Sequence, residues 1–318
     1  MTTAANRRAA GLVIALLACS LAGVVTDARA ASSDRVIKAC LLVRRSPQPQ
    51  LLVYGSSRAA KLEPSFLGSQ AGTTAFNASV SSATPEDVWA FAHLAHDQSG
   101  GASVRALWLL DVESFRPRPF DAALLGTPSL ARYFSQSGGT VLPADPAAPL
   151  RVSATCSFET NARTRYAPDG YRALDFHDAA ATRGTTTADG VRKSIADYLR
   201  LYRRFPRLSP AAKAWTERTI AAFNTWGDRP VIVLTPAHPA FLRALGPAGW
   251  DRRHADLVTF LEGLRTHLDF VLIDASRISV FGGRATGFYD GIHQRVANQR
   301  RLIRSIVARA GAALRPPP

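Results

Sequence analysis

Short apolar segments alternate with helix-like segments along most of this chain, and that order restricts the fold more than any other feature. The predicted strands cover residues 50–54, 73–77, 106–110, 231–234 and 270–273. Apolar residues at helical spacing predict helices from residue 84 onward and at 191–202, 210–226, 251–267 and 296–314. Short apolar strands between helices are typical of a parallel sheet covered on both faces, so we predict an α/β fold.

Polar residues follow four of the predicted strands. They are Ser57, Asp111, Thr235 and Asp274. Ligands of open parallel sheets bind beyond the carboxyl ends of the strands. We therefore expect the functional site at this edge of the sheet.

Residues 115–207 break the regular alternation. This stretch is rich in Pro, Gly, Ser and Thr, but a structureless loop of that length is improbable inside a compact domain. We interpret it as an insertion with elements of its own, such as a lid or a substrate-binding cap. Residues 31–318 are then one domain that carries this insertion.

Two short segments at opposite ends of the chain complement each other chemically. Gly55-Ser56-Ser57-Arg58 follows the first predicted strand, and Tyr289-Asp290-Gly291-Ile292-His293 precedes the last helix. A serine nucleophile needs a base, and an Asp three residues before a His can hold that imidazole in one tautomer. The alternative is structural: the serines cap a helix, and Asp290 and His293 bridge a loop.

These segments resemble the SGNH (GDSL-type) hydrolase superfamily, which has an early Gly-Asp-Ser block and a late Asp-x-x-His block. Ser56 replaces the usual Asp of the first block. The resemblance implies a flavodoxin-like three-layer α/β/α sandwich. It also implies Ser57 as nucleophile, His293 as general base, Asp290 as orienting carboxylate, and no metal or organic cofactor.

The same resemblance points to an oxyanion hole. The segment 77–84 follows the second strand, and Ser82 stands where the family has a glycine whose amide helps to form the hole. We expect the backbone amides of Ser57 and Ser82 to serve, with Asn77 near the substrate. The family's third block supplies an Asn; here Asp111 and Ser114 stand in that region, so Ser114, another amide or a residue of the insertion must replace it.

Other polar residues have two interpretations each. Arg58 could bind an anionic substrate group or form a salt bridge, and His238, after the fourth strand, could reach the site or lie on a surface loop. The segment Asp175-Phe176-His177-Asp178 contains metal-ligand residue types. In a polar insertion we expect it to be a solvated turn, and we predict no metal site.

The first 30 residues have the pattern of a secretory signal. Arg7 and Arg8 precede an apolar run at 9–25, and Ala28-Arg29-Ala30 fits a cleavage site. We expect an exported protein, periplasmic, extracellular or associated with the envelope; an uncleaved N-terminal anchor is the alternative. After cleavage Cys40 and Cys156 remain, either paired in an oxidising compartment or as buried thiols.

The net charge is strongly positive. Without the leader the chain has 36 basic and 23 acidic residues, a formal charge of +13. This favours association with an anionic envelope surface, although an Arg-rich composition also follows from a GC-rich genome. The basic residues are spread along the chain without interleaved aromatic residues, so we do not expect nucleic-acid binding.

Together these features predict an exported serine esterase or O-acyltransferase. Its expected substrates are acyl esters, on cell-envelope or extracellular carbohydrate. The alternatives are a non-catalytic protein of the same fold that binds or assembles polysaccharide, and a lipid esterase.

Overall fold

Five parallel strands form the central sheet. The computed structural model describes residues 33–137, 139–144 and 164–316. The strands of the described residues, inside and outside the central sheet, are β1 (Leu51–Gly55), β2 (Ala75–Asn77), β3 (Arg105–Leu110), β4 (Phe134–Ser137), β5 (Thr140–Pro143), β6 (Arg165–Tyr166), β7 (Arg172–Leu174), β8 (Val231–Leu234) and β9 (Val271–Asp274). The central sheet contains five of them, in the order β2-β1-β3-β8-β9. Its strands therefore follow the order 2-1-3-4-5 of flavodoxin-like sheets.

Helices cover both faces of this sheet. They are α1 (Asp34–Val43), α2 (Pro64–Ala71), α3 (Pro85–Gln98), α4 (Ala122–Leu125), α5 (Pro128–Ala131), α6 (Phe176–Thr182), α7 (Thr187–Tyr202), α8 (Pro210–Thr225), α9 (Pro239–Leu245), α10 (Asp251–Leu264) and α11 (Val296–Leu314). The α/β fold with a parallel sheet between helical layers is confirmed.

Alternate residues of each central strand enter different cores, because successive side chains of a strand point to opposite faces. In β1, Leu52 and Tyr54 pack with residues of α3, α8 and α10. Leu51 and Val53 pack on the other face with residues of α2 and α11. This burial on both faces explains why the strands are continuous apolar runs in the sequence.

The start of α3 agrees with the sequence prediction. Pro85 occupies its first turn, and the Asp87 carboxylate accepts hydrogen bonds from the backbone N–H and the hydroxyl of Thr84 at 2.8 and 3.1 Å. The same carboxylate forms a buried ion pair with Arg35 of α1 at 2.6 Å. Helix α1 is thereby joined to the core, although the sequence predicts no helix before β1.

The described part of the insertion packs directly on the sheet domain. Its residues form α4, α5, the hairpin β4–β5, the short pair β6–β7, and helices α6 and α7. The N–H of Asn77, at the end of edge strand β2, donates to the carbonyl of Asp169 at 2.9 Å. The N–H of Arg172 donates to the carbonyl of Ala60 at 3.1 Å, so backbone bonds fix the insertion beside the loop after β1.

Several expectations concern residues outside the described ranges. The leader at 1–30 is among them, and so is Cys156. Cys40, on α1, is disulfide-bonded. Among the helices of the described residues, none combines the length and the apolarity that a membrane span requires.

Candidate active site

A tight turn after β1 presents Ser57 at the carboxyl edge of the sheet. Gly55 has φ +149°, and a Cβ at this position would lie 2.7 Å from the carbonyl oxygen of Leu109 in β3. Only glycine fits this close approach. The chain then turns, with the N–H of Arg58 donating to Oγ of Ser56 at 3.2 Å, and Ser57 remains partly exposed.

The loop before α11 places Asp290 and His293 opposite this turn. One carboxylate oxygen of Asp290 accepts hydrogen bonds from the backbone N–H groups of Ile292 and His293, both at 2.8 Å. Its other oxygen lies 2.8 Å from Nδ1 of His293, and Nε2 of His293 lies 2.9 Å from Oγ of Ser57. The structure thus brings the three expected catalytic residues into one hydrogen-bonded chain.

The electrostatics of this chain suit a serine nucleophile. Burial opposes ionisation of Asp290, but hydrogen bonds from His177 and His293 outweigh it and lower the pKa of the carboxyl group. Burial lowers the pKa of His293, against the raising effect of Asp290. His293 is therefore neutral near pH 7, with Nδ1–H directed at Asp290 and Nε2 free to accept the Ser57 proton.

A second histidine, His177, contacts the Asp290 end of this hydrogen-bonded chain. The sequence does not predict this contact. The side chain of His177, in the first turn of α6, is 8 % exposed; Nδ1 lies 3.3 Å from Asp175 and Nε2 lies 3.3 Å from Asp290. The expected solvated turn at 175–178 is therefore wrong: tertiary packing buries it against the candidate triad. No local pattern marked this, because Asp175 and His177 meet Asp290 only through the fold.

The surroundings of His177 favour its protonated form. Burial opposes the charge, but hydrogen bonds and charge interactions with Asp175 and Asp290 raise the pKa of His177. Each ring nitrogen lies 3.3 Å from a carboxylate oxygen, so the positive charge of imidazolium is stabilised between two acids. The ring also stacks on Tyr289, with 5.5 Å between the centroids, and lies 4.1 Å from the ring of His293.

The described residues around the triad include one group with metal-ligand atoms close together. These atoms belong to His177, Asp290 and His293 and lie within 4.8 Å of one another. Both ring nitrogens of His293 already interact with Asp290 and Ser57. The arrangement fits a hydrogen-bonded chain, with no nitrogen of His293 left for a metal.

Ser82 adopts the backbone conformation of a glycine. Its φ is +56°, in the left-handed region. Among the described residues, no hydrogen-bond acceptor engages the N–H of Ser57 or the N–H of Ser82, and both residues line one cavity. Two unengaged amides beside the nucleophile are the donors that an oxyanion hole requires.

Arg58 lies in a buried ion-pair cluster. Its guanidinium forms ion pairs with Glu113 at 2.6 Å and Asp111 at 3.6 Å, and donates to the Thr235 hydroxyl at 3.1 Å. Of the two interpretations of Arg58, the geometry favours the salt bridge. The same pairing neutralises Asp111, the carboxylate that stands in the family's Asn region.

Asn77 has a structural role in this geometry. It is fully buried; its amide nitrogen donates to the carbonyls of Ala59 and Leu62 at 2.8 and 2.9 Å, and its oxygen accepts from the N–H of Ser79 at 3.0 Å. Asn77 thus joins the loop after Ser57 to the loop that leads to Ser82. These bonds leave it no group to offer to a substrate.

His238 caps α9. Its ring Nδ1 accepts a hydrogen bond from the backbone N–H of Ala240 at 3.1 Å, and its backbone N–H donates to the carbonyl of Gly291 at 2.9 Å. The described walls of the cavities at Ser57 do not include it. Through the bond to Gly291, His238 stabilises the loop that carries Asp290.

Two cavities open at Ser57. The first, of about 390 Å³, lies between α6, α7 and the 289–295 loop, and Lys193, Asp197 and Arg295 contribute charged groups to its wall. The second, of about 210 Å³, lies toward Ser82 and the segment after β3. The side walls of both include Tyr198 of α7 and Ile292, so an ester bonded at Ser57 has room on two sides.

Comparison of the sequence with protein-family models and with curated proteins finds no match. The relation to SGNH hydrolases therefore remains a resemblance of motifs.

Proposed function

We propose that this protein is an exported serine esterase or O-acyltransferase that acts on acyl esters, with carbohydrate of the cell envelope or the extracellular space as the acylated partner. The observation that carries the proposal is the chain from Asp290 through His293 to Ser57, with distances of 2.8 and 2.9 Å. The location supports it as well, because the chain lies at the carboxyl edge of a parallel sheet.

The reaction begins when Oγ of Ser57 attacks the ester carbonyl carbon and its proton passes to Nε2 of His293. Asp290 stabilises the resulting imidazolium through Nδ1–H, and the amides of Ser57 and Ser82 donate to the oxyanion. Collapse of the tetrahedral intermediate breaks the bond to the alcohol oxygen, which takes the proton from His293. An acyl ester on Ser57 remains.

A second attack completes the cycle. Water, or a hydroxyl group of a sugar, gives its proton to His293 and attacks the acyl carbon. Ser57 then leaves with that proton. Water as acceptor makes the protein an esterase, and a sugar hydroxyl makes it an acyltransferase.

The smaller cavity favours a polar substrate group, because Arg116 and Arg118 are in its wall. The larger cavity is lined mainly by apolar surface, with Lys193, Asp197 and Arg295 among its wall residues. It has room for the acyl group of the ester and leaves lipid ester cleavage as the second candidate function. The carbohydrate partner itself follows from the family resemblance and the expected export.

Labelling with a fluorophosphonate probe tests the proposal. We expect the wild-type protein to be labelled and Ser57→Ala and His293→Ala to lose labelling. Ser56→Ala is the matched control, because Ser56 is adjacent but its hydroxyl bonds the backbone of its own turn; it should stay labelled. Equal labelling of all four proteins, or none, would overturn the proposal and favour a non-catalytic polysaccharide-binding protein.

A further inference from the structure

The smaller cavity at Ser57 has an excess of positive charge. The charged residues in its wall are Arg58, Arg116, Arg118, Asp111 and Glu113. Asp111 and Glu113 are both paired with Arg58. The formal charge of the cavity wall is therefore +1, and Arg116 and Arg118 lie outside the ion pairs of Arg58.

In the described part of the chain, the Arg118 side chain donates hydrogen bonds to backbone carbonyl groups only. Its Nη2 donates to the carbonyl oxygens of Ser82 and Ala83 at 3.1 and 3.4 Å, and its buried Nε has no hydrogen-bond partner among the described residues. Burial lowers the pKa of Arg118; nearby acids oppose this, and the charge of Arg116 adds to it.

The acids near Arg118 act on its charge without pairing with it directly. Asp87 and Asp121 are both ion-paired with Arg35, at 2.6 and 2.8 Å. Glu86 is buried, and burial raises the pKa of its carboxyl group. Within the ranges that the structure describes, no carboxylate forms an ion pair with Arg118.

Arg116 is free to bind a ligand. It is partly exposed, and in the described part of the chain its side chain has neither an ion pair nor a hydrogen bond. It lies two residues from Arg118 along the segment after β3. Two neighbouring guanidinium groups without acidic partners form a site in which an anion would relieve their mutual repulsion.

We propose that this cavity binds an anionic group of the ester substrate, a carboxylate, phosphate or sulfate, through Arg116 and Arg118. The inference rests on the proposed function and narrows its substrates to two kinds of ester. In one the alcohol is an acidic saccharide, and in the other the acyl group carries an anionic group of its own. Guanidinium presents forked donors that match these oxyanions. The role expected for Arg58 therefore belongs to the next two arginines along the cavity wall.

Matched ester pairs test the proposal on activity. In the first pair, acetylated glucuronic acid and acetylated glucose, the charge lies on the alcohol part of the ester. In the second pair, the 4-nitrophenyl monoester of succinic acid and the 4-nitrophenyl ester of butyric acid, the charge lies on the acyl part. We expect the anionic member of at least one pair to have a kcat/KM higher by about tenfold or more. Arg116→Gln should remove most of this preference, measured as the ratio within a pair.

Arg229→Gln is the matched control for the loss of one positive charge. Arg229 precedes β8 at the opposite edge of the sheet and pairs with Asp269, so its loss should leave the ratio unchanged. Activity without a preference for the anionic member of either pair would overturn this inference while leaving the proposed esterase intact.

Binding to Ser57→Ala protein separates the two proposals. Calorimetry with glucuronate, glucose 6-phosphate and glucose 6-sulfate, and with glucose as the neutral reference, identifies which oxyanion the cavity prefers. Binding that is weakened about tenfold or more by Arg116→Gln supports the site even in a protein without esterase activity. Absence of binding by all three anions contradicts it.

Discussion

Nε2 of His177 lies 3.3 Å from Oδ2 of Asp290, so two imidazoles share one carboxylate oxygen. The other imidazole is His293, whose Nδ1 lies 2.8 Å from the same oxygen. In the described part of the chain, the groups that face His177 include Asp175, Asp290, His293 and Tyr289. His177 thus supplies a positive charge at the end of the triad that is remote from Ser57.

Replacing His177 with Gln should raise the pKa of His293. The charge of His177 lowers that pKa, and the loss of this histidine also leaves the Asp290 carboxylate to interact with His293 alone. Because the base must be neutral to accept a proton, we expect the acid limb of kcat/KM to move to higher pH by about one unit. The pH profile with a chromogenic ester measures this.

His254→Gln is the control for that experiment. His254 forms a similar pair with Asp274, at 3.0 Å, away from the triad. Its replacement should leave the acid limb in place. An acid limb that stays fixed or moves to lower pH in His177→Gln contradicts the effect of the His177 charge on the pKa of His293.

The left-handed backbone of Ser82 predicts a difference between two substitutions. Ser82→Gly should stabilise the fold by up to about 1 kcal/mol and keep activity, because glycine adopts this φ without the strain of a Cβ. Ser82→Val should cost at least about 1 kcal/mol and lower kcat, because a β-branched residue resists this conformation and displaces the amide. Urea unfolding and ester hydrolysis measure both; equal behaviour of the two variants would argue against the oxyanion assignment.

Loss of Arg58 should destabilise the fold. Arg58→Leu leaves Asp111 and Glu113 buried without their cation, and breaking such a pair costs about 3–5 kcal/mol. Arg300→Leu, which removes a more exposed ion pair with Glu63, should destabilise the fold much less, because solvent screens an exposed pair. Urea unfolding compares them. An Arg58→Leu protein of normal stability with a raised KM would restore the substrate-binding interpretation.

The close packing at Gly190 predicts that α7 of the insertion positions Asp290 of the triad. A Cβ at this position in α7 would lie 2.5 Å from the carbonyl oxygen of Tyr289 and 3.0 Å from Cβ of Asp290. Gly190→Ala should therefore displace Asp290 and lower kcat by about tenfold or more. Gly263→Ala in α10, where a Cβ meets nothing within 4 Å, should instead stabilise the helix by about 1 kcal/mol; unchanged kcat in Gly190→Ala would show that the loop adapts.

The sequence predicts the central sheet well, because each strand is an apolar run set apart by helical spacing. The β8 prediction matches its bounds, and the other strands differ by one or two residues at their ends. The position of Ser57, Asp290 and His293 near one another also follows, since topology brings their loops to one edge of the sheet. These parts depend on local pattern and on the general rule for parallel sheets.

The parts that the sequence does not predict depend on tertiary contacts. His177 lies in a segment of ordinary polar composition, and its role depends on burial against a loop more than a hundred residues later. Arg58 and Asn77 stand next to family motifs, yet their partners at Glu113 and Leu62 direct them into the interior. Motif position alone cannot separate a buried structural group from one that faces a ligand.

The hydrogen bond between Ser57 and His293 closes a loop of 236 residues. Contacts of such high sequence separation cost chain entropy and are slow to form. A chain in which the 289–293 loop has not yet docked therefore has an ordinary serine hydroxyl at position 57. Reactivity of this hydroxyl would thus report complete folding, and a nascent or partly unfolded chain would not react with esters.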